Sequence, residues 1–187
     1  MKKIIVMAAL IILAVAAVFA EATTTFRAEL PVLITSAGQN PDGSTVAALL
    51  KRAKIKDYED VPAILAKDVD WNKFNTIIIV IGGSGKGLGS AGISTEEDQM
   101  RVDALVKAAR EHGKKIITMH IGGQDRRGAN SIPFLPYAAV GDLMIVNSNG
   151  NYDGYFTKLA NDNNIPFVEV TKNASELGPL LATVFGK

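Results

Sequence analysis

The 187-residue chain contains no cysteine, and it has only two histidines and one tryptophan. Without cysteine it has no disulfide bond, no thiolate nucleophile, no cysteine-ligated metal site and no lipid anchor on an amino-terminal cysteine. Charge of neither sign is in excess, since 20 lysines and arginines stand against 19 aspartates and glutamates. This balance argues against non-specific binding to nucleic acid or to a membrane surface.

Long apolar runs are confined to the amino terminus. After a basic start, residues 4–19 are apolar without a break, and small residues around Ala20 and Ala22 suit a signal peptidase. This pattern is typical of a secretory signal peptide, and a retained membrane anchor is the alternative. We expect residues 1–20 to be removed, with cleavage after Ala20 or Ala22. An exported, periplasmic or extracellular protein would remain, with one α/β domain over residues 21–187 and no stable membrane insertion.

The rest of the chain alternates short apolar runs with amphipathic stretches. Residues 76–81 form the clearest predicted strand, because they are all β-branched, as in strands that are covered on both faces. Residues 94–112 form the clearest predicted helix, which begins with a capping box of Ser94 and Glu97. Further strands are predicted at residues 31–36, 55–60, 115–121, 142–146 and 166–170, and further helices at 44–54, from Asp153 as N-cap, and from Asn173 or Ser175.

Strands that alternate with helices form βαβ units. The order predicts a three-layer, doubly wound, mostly parallel sheet of five or six strands, of the flavodoxin-like or Rossmann-like class, with the first and third strands as neighbours. Ligands of such sheets bind beyond the carboxyl ends of the strands. The loops at this edge are long and rich in Gly, Ser, Asn and Gln, and two of them begin with Ile-Gly-Gly, at residues 81–83 and 121–123. A functional site is therefore predicted at this edge.

The first of these glycine-rich loops does not carry a nucleotide motif. A P-loop requires Gly, four residues, and then Gly-Lys-Ser/Thr. In this chain Val80 occupies the position of the first glycine, and Gly87 follows Lys86. Residues 87–92 match Gly-x-Gly-x-x-Gly, but that motif should follow its strand at once. Lys86, free backbone N–H groups and the helix start at Ser94 still suit an anion, with a flexible surface loop as the alternative.

Two arginines add positive charge in the neighbouring loop. Arginine suits bidentate binding of a carboxylate or phosphate, and the alternative is that Arg126 and Arg127 pair with Asp125 or are solvated. We expect Lys86 and these arginines to converge on a small anionic ligand, with no cofactor and no metal. The predicted ligand-binding residues are Ser36, Gly38, Gln39, Gly83, Ser84, Gly85, Lys86, Gly87, Gly122, Gly123, Arg126, Arg127 and Asn149.

His120, at the end of a predicted strand, is the candidate catalytic residue. It could act as a general acid or base, and the alternative is a buried histidine that is hydrogen-bonded to backbone. Ser36 and Ser84 lie in loop positions suited to a nucleophile, without the Gly-x-Ser-x-Gly elbow, and Asp42 or Asp125 could orient the imidazole. An exported hydrolase is therefore an alternative function, and a protein-interaction module of the cell envelope is another.

Four stretches of the chain together resemble one known family. They are residues 32–39, 82–94 (GGSGKGLGSAGIS), 119–128 (MHIGGQDRRG) and 153–160. As a set they are similar to a family of exported bacterial proteins that is described as a domain of unknown function, DUF6305. The resemblance spans nearly the whole chain after the signal peptide. It implies no catalytic residue, substrate or cofactor, because the family has no established activity.

Overall fold

The computed structural model describes residues 26–171 and 173–187. The predicted signal peptide lies outside these residues, so its cleavage and the export of the protein stay predictions. Within the described residues, none of the helices has the length and apolarity that a membrane crossing requires.

Strands and helices alternate along the described chain. The strands are β1 Val32–Ala37, β2 Tyr58–Asp60, β3 Thr76–Ile81, β4 Lys115–His120, β5 Leu143–Asn147 and β6 Phe167–Val170. The α-helices are α1 Asp42–Arg52, α2 Gly85–Ala91, α3 Thr95–Glu111, α4 Tyr155–Asp162 and α5 Asn173–Val184. Short 3-10 helices span Ala66–Asp68, Gln124–Arg127, Ile132–Val140 and Ser148–Asn151.

The six strands form one parallel sheet in the order β2-β1-β3-β4-β5-β6. This arrangement confirms the predicted α/β class and parallel sheet. The predicted neighbours β1 and β3 pair along their whole length, from Val32 opposite Thr76 to Ala37 opposite Ile81. The chain order reverses between β1 and β3, so the carboxyl ends of these strands and of β4 and β5 form the edge where ligands of such sheets bind.

Helices cover both faces of the sheet because strand side chains alternate between the faces. On the α1–α5 face, Ile78 and Val80 of β3 join a buried cluster with side chains of α1 and α5. On the α3–α4 face, Ile77 and Ile79 of the same strand join a second cluster with α2, α3, α4 and the 3-10 helix Ile132–Val140. Each face therefore has its own apolar core, as expected for strands that are apolar at every position.

The five described α-helices end in the same hydrogen-bonded turn. Just beyond each helix, one residue adopts a left-handed conformation, and the next N–H donates to the carbonyl oxygen five residues earlier. This motif normally has glycine, sometimes asparagine, at the left-handed position. Gly92, Gly113, Gly186 and Asn164 follow this rule, and Gly113 was the predicted cap. Lys54, with φ 60°, is the exception.

Two local predictions need correction, and one element was not predicted. The glycine-rich residues 85–91 were predicted as loop but form helix α2, because Ser84 caps it by accepting a hydrogen bond from Gly87 N–H. The 3-10 helix Ile132–Val140 was not predicted at all. Helix α4 begins after Gly154 rather than after Asp153, although the Asp153 carboxylate does accept the Tyr155 N–H at 3.1 Å.

Candidate functional site

A buried ion pair holds the end of β1 in place. Asp98 and Arg101 project from α3 into the core, with side chains 0% and 4% exposed, and their Oδ1 and Nε atoms lie 2.7 Å apart. Asp98 also accepts the Gly38 N–H at 2.7 Å and the Gln39 side-chain amide at 2.8 Å. Arg101 donates to the Ser36 carbonyl. The predicted ligand residues Gly38 and Gln39 therefore bind this internal pair.

Asn40 joins the ends of β1 and β3. Its side-chain nitrogen, Nδ2, donates to Ser36 Oγ at 2.8 Å and to the carbonyl oxygens of Val80 and Gly82 at 2.9 Å. Ser36 Oγ also accepts the Asn40 N–H, and the serine is 1% exposed. Ser36 is therefore a buried structural residue, in a position unsuited to a nucleophile or a ligand contact.

The glycine-rich segment after β3 is closed by hydrogen bonds to its own chain. Gly83 N–H donates to Ser131 Oγ at 2.9 Å, and Ser84 N–H donates to the Gly38 carbonyl at 2.8 Å. A Cβ on Gly83 would lie 1.6 Å from the Asn130 carbonyl oxygen. The glycine at this position allows two backbone segments to touch, and these N–H groups are not free to form the predicted anion cradle.

Two of the three predicted cations, Arg126 and Arg127, point to opposite faces of the sheet. Lys86 lies exposed on α2. Arg127 is 6% exposed, pairs with both oxygens of Asp153 at 3.0 and 3.2 Å, and stacks over Phe156 of α4. Arg126 is 46% exposed and lies 3.6 Å from Asp42 at the start of α1, on the other face of the sheet. The two arginines diverge because consecutive residues of a 3-10 helix, with three residues per turn, point about 120° apart.

His120 is buried between the two Ile-Gly-Gly segments. The residue is 1% exposed, and its ring stacks on Phe156 and places Nδ1 2.9 Å from the Ile81 carbonyl oxygen. Nε2 has no hydrogen-bond partner within the described residues, and a Cβ on Gly150 would lie 2.9 Å from it. Burial lowers the pKa of His120, the hydrogen bond to Ile81 opposes this effect, and the charge of Arg127 adds to it. The imidazole is therefore neutral at pH 7, with its proton on Nδ1, because a carbonyl oxygen can only accept.

The loops after β4 and β5 border an open cleft at the same edge. Its volume is about 540 Å³, and hydroxyl, amide, carboxylate and phenol groups surround it. Asn147 fixes one wall by accepting the Asn149 N–H at 2.8 Å. Of the predicted ligand residues, Gly123 and Asn149 border the cleft. Gly122 has no side chain and so leaves space for the aliphatic part of Arg126. The lining residues are Gly123, Gln124, Asp125, Ser148, Asn149 and Tyr152.

Sequence reasoning missed several of these residues. Asp98 and Arg101 share the inward stripe of α3 with Val102, Leu105 and Ala109, so their positions in the helix were the available signal. Gln124, Ser148 and Tyr152 lie in loops that the composition did single out. Within residues 26–171 and 173–187, no cluster of three or more histidine, aspartate or glutamate side chains is placed to hold a metal ion.

The family comparison agrees with the predicted resemblance. Residues 29–185 match the family described as a domain of unknown function, DUF6305, and the chain belongs to this family. None of the curated proteins matches the chain. Among solved structures, one described as a putative acylhydrolase from Bacteroides fragilis is similar, with 12% identity and a TM-score of 0.37 over 89% of this chain and 91% of that chain. A likeness of this size carries no argument about activity.

Proposed function

We propose that this member of the DUF6305 family binds a small anionic molecule in the cleft between the loops after β4 and β5. The position of the cleft supports the proposal, because ligands of doubly wound sheets bind beyond the carboxyl ends of the strands. Its volume of about 540 Å³ lies within the range of small-molecule sites. The mainly polar lining favours a hydrophilic ligand over an apolar one.

Arg126 is the observation that carries the anionic part of the proposal. Arg126 does not line the cleft itself, but it is the residue next to Asp125, which does, and its side chain is 46% exposed. The distance of 3.6 Å to Asp42 is beyond hydrogen-bond range, so the N–H donors of Arg126 are not used by that carboxylate. A Cβ on Gly122 would lie 2.4 Å from Arg126 Cγ, so the glycine gives the arginine stem room to lie across the loop.

The lining of the cleft suits a ligand with neutral polar groups beside its charge. Gln124, Ser148, Asn149 and Tyr152 offer both donors and acceptors, and Asp125 disfavours a second negative charge close by. The loops are held from beneath by the pairing of Arg127 with Asp153, so little ordering is needed on binding. A small hydroxylated monocarboxylate or monophosphate fits these features best.

A thermal-shift titration of the protein with a panel of small carboxylates and phosphates tests the proposal, followed by calorimetry on those that stabilise it. Arg126→Ala should weaken binding of the best ligand at least tenfold, because a charge-assisted hydrogen bond is worth about 1.5–3 kcal/mol. Lys86→Ala is the matched control, since Lys86 is also an exposed cation near this edge. The Lys86→Ala protein should bind the same ligand as tightly as the wild type does. No stabilisation by any panel member, or equal loss in both variants, would contradict the proposal.

The hydrolase alternative has less support. Ser36 Oγ accepts hydrogen bonds from Asn40, Ser84 Oγ accepts one from Gly87, and His120 directs Nδ1 to a backbone carbonyl. None of these contacts joins a serine, the histidine and an acid. Turnover of ester or phosphoester probes by the purified protein would nevertheless favour it over simple binding.

A further inference from the structure

A second groove lies on the α1–α5 face, away from the proposed anion site. It has a volume of about 420 Å³ between the end of α1 and the middle of α5. Ala53, Pro179 and Ala182 give it an apolar floor, and a Cβ on Gly178 would meet no atom within 4 Å. The end of α1 lies at the amino edge of the sheet, because the helix runs antiparallel to the strands that it connects. The groove is therefore separate from the cleft at the carboxyl edge.

Lys54, which lines this groove, has an unusual backbone conformation. It occupies the left-handed position of the turn that ends α1, with φ 60°, where Ile55 N–H donates to the Leu50 carbonyl at 2.9 Å. The other four described α-helices have glycine or asparagine at this position. Left-handed backbone is unfavourable for residues with a long side chain, and such strain persists most often at functional sites. If residue 54 served only to terminate α1, glycine would be the favoured residue there. The lysine side chain therefore requires a separate explanation.

The groove is bordered by positive charge. Arg52 and Lys54 line it, and Lys51 and Lys56 are their neighbours in the chain. All four are exposed, and none of them forms an ion pair with another described residue. The dipole of α1 favours basic residues in its last turn and accounts for Lys51 and Arg52. It does not account for a lysine placed beyond the helix in a strained conformation. An apolar floor with a cationic border is complementary to a molecule with an aliphatic chain and an anionic head.

We propose that this groove binds an aliphatic carboxylate. Its chain would lie along Ala53, Pro179 and Ala182, and Arg52 and Lys54 would bind its carboxylate. Arg52 can donate two parallel hydrogen bonds to a carboxylate, and Lys54 adds a point charge. The left-handed turn sends the Lys54 side chain away from the path of the helix, toward the groove that it lines.

Calorimetric titration of the full chain with sodium octanoate tests the assignment. Octanoate should bind, whereas acetate, which lacks the chain, and 1-octanol, which lacks the charge, should bind at least tenfold more weakly. From butanoate to octanoate, each methylene that is fully buried should tighten binding by about fourfold, from the usual transfer free energy of a CH₂ group. No binding of octanoate, or equal binding of acetate, would overturn the proposal.

A pair of glycine variants distinguishes the role of Lys54 in binding from its role in the turn that terminates α1. Lys54→Gly and Asn164→Gly each place glycine at the left-handed position of the same turn, so both should keep or raise the unfolding midpoint. Only Lys54→Gly should weaken octanoate binding, by about fivefold or more. Gly178→Leu should fill the groove and abolish binding. Equal octanoate affinity in the two glycine variants would overturn the role of Lys54, and undiminished binding to a folded Gly178→Leu would overturn the groove.

Discussion

The tripeptide Ile-Gly-Gly occurs at the carboxyl ends of two neighbouring strands, β3 and β4, with different consequences at the two places. After β3, Gly83 touches the backbone at Asn130 and donates to Ser131, so the segment is closed by its own chain. After β4, Gly123 borders an open cleft, and Gly122 gives room to the stem of Arg126. A glycine-rich loop at a sheet edge therefore predicts close approach of something to the backbone, but the partner can be the same chain rather than a ligand.

The largest contrast between the two loops should appear on adding one methyl group to each. Gly83→Ala should destabilise the protein by about 3 kcal/mol, because its Cβ would overlap the Asn130 carbonyl and backbone cannot move away cheaply. Gly123→Ala should change stability by less than about 1 kcal/mol, since its Cβ would lie at an ordinary 3.6 Å from Asn149 Cβ. Urea unfolding of the two variants measures the difference. Equal effects would mean that the segment after β3 is as open as the cleft.

The two arginines after β4 should also differ. Arg127→Ala should cost about 2 kcal/mol, because it removes a buried guanidinium from Asp153 and from the ring of Phe156. Arg126→Ala should cost less than about 0.5 kcal/mol, since its ion pair is long and half exposed. Thermal unfolding at one pH compares them. If Arg126→Ala lost more stability than Arg127→Ala, Arg126 would be the structural arginine. It would then not be available to bind an anion.

A smaller effect should come from His120, which lies between the two loops. Its pKa in the folded protein is below the ordinary value of 6.5, so the unfolded chain binds a proton more readily than the folded one. The contribution of His120 to the free energy of unfolding is therefore fully present above pH 6.5. It is lost as the pH falls through the lowered pKa, at no more than about 1.4 kcal/mol per pH unit. His120→Gln should reduce the slope of unfolding free energy between pH 7 and 5.

The other titrating groups, such as the carboxylates, are common to the wild type and to His120→Gln, so the histidine alone distinguishes the two slopes. Urea unfolding at several pH values between 7 and 5 measures them. A slope that does not fall in His120→Gln would show that the burial of His120 is not its source.

The sheet could be predicted from the sequence because its signals are local. The β-branched run of β3 and the capping box of Ser94 and Glu97 each specify an element within a few residues. Helix α2 could not be predicted in this way, because glycine is a poor helix former and only the cap at Ser84 indicated a start. The 3-10 helix Ile132–Val140 carries Pro133 and Pro136, which read as loop residues.

The site was harder to predict because it depends on distant partners. Nothing near Gly83 in the chain indicates that Ser131 accepts its N–H, or that Asp98 of α3 accepts the N–H of Gly38. The divergence of Arg126 and Arg127 follows from a 3-10 helix that composition does not reveal. The topology was enough to predict that the site lies at the carboxyl edge of the sheet. To choose between the loops at this edge, one has to know which backbone N–H groups already donate hydrogen bonds within the chain.

Amide chemical-shift mapping identifies which loops of the sheet edge bind the anion. The ¹⁵N-labelled protein would be titrated with the tightest-binding carboxylate or phosphate of the panel, and the backbone amides of both loops followed. We expect shifts concentrated in residues 122–126 and 148–152, with residues 83–89 unchanged. Shifts concentrated in residues 83–89, with the loops after β4 and β5 unaffected, would contradict this expectation.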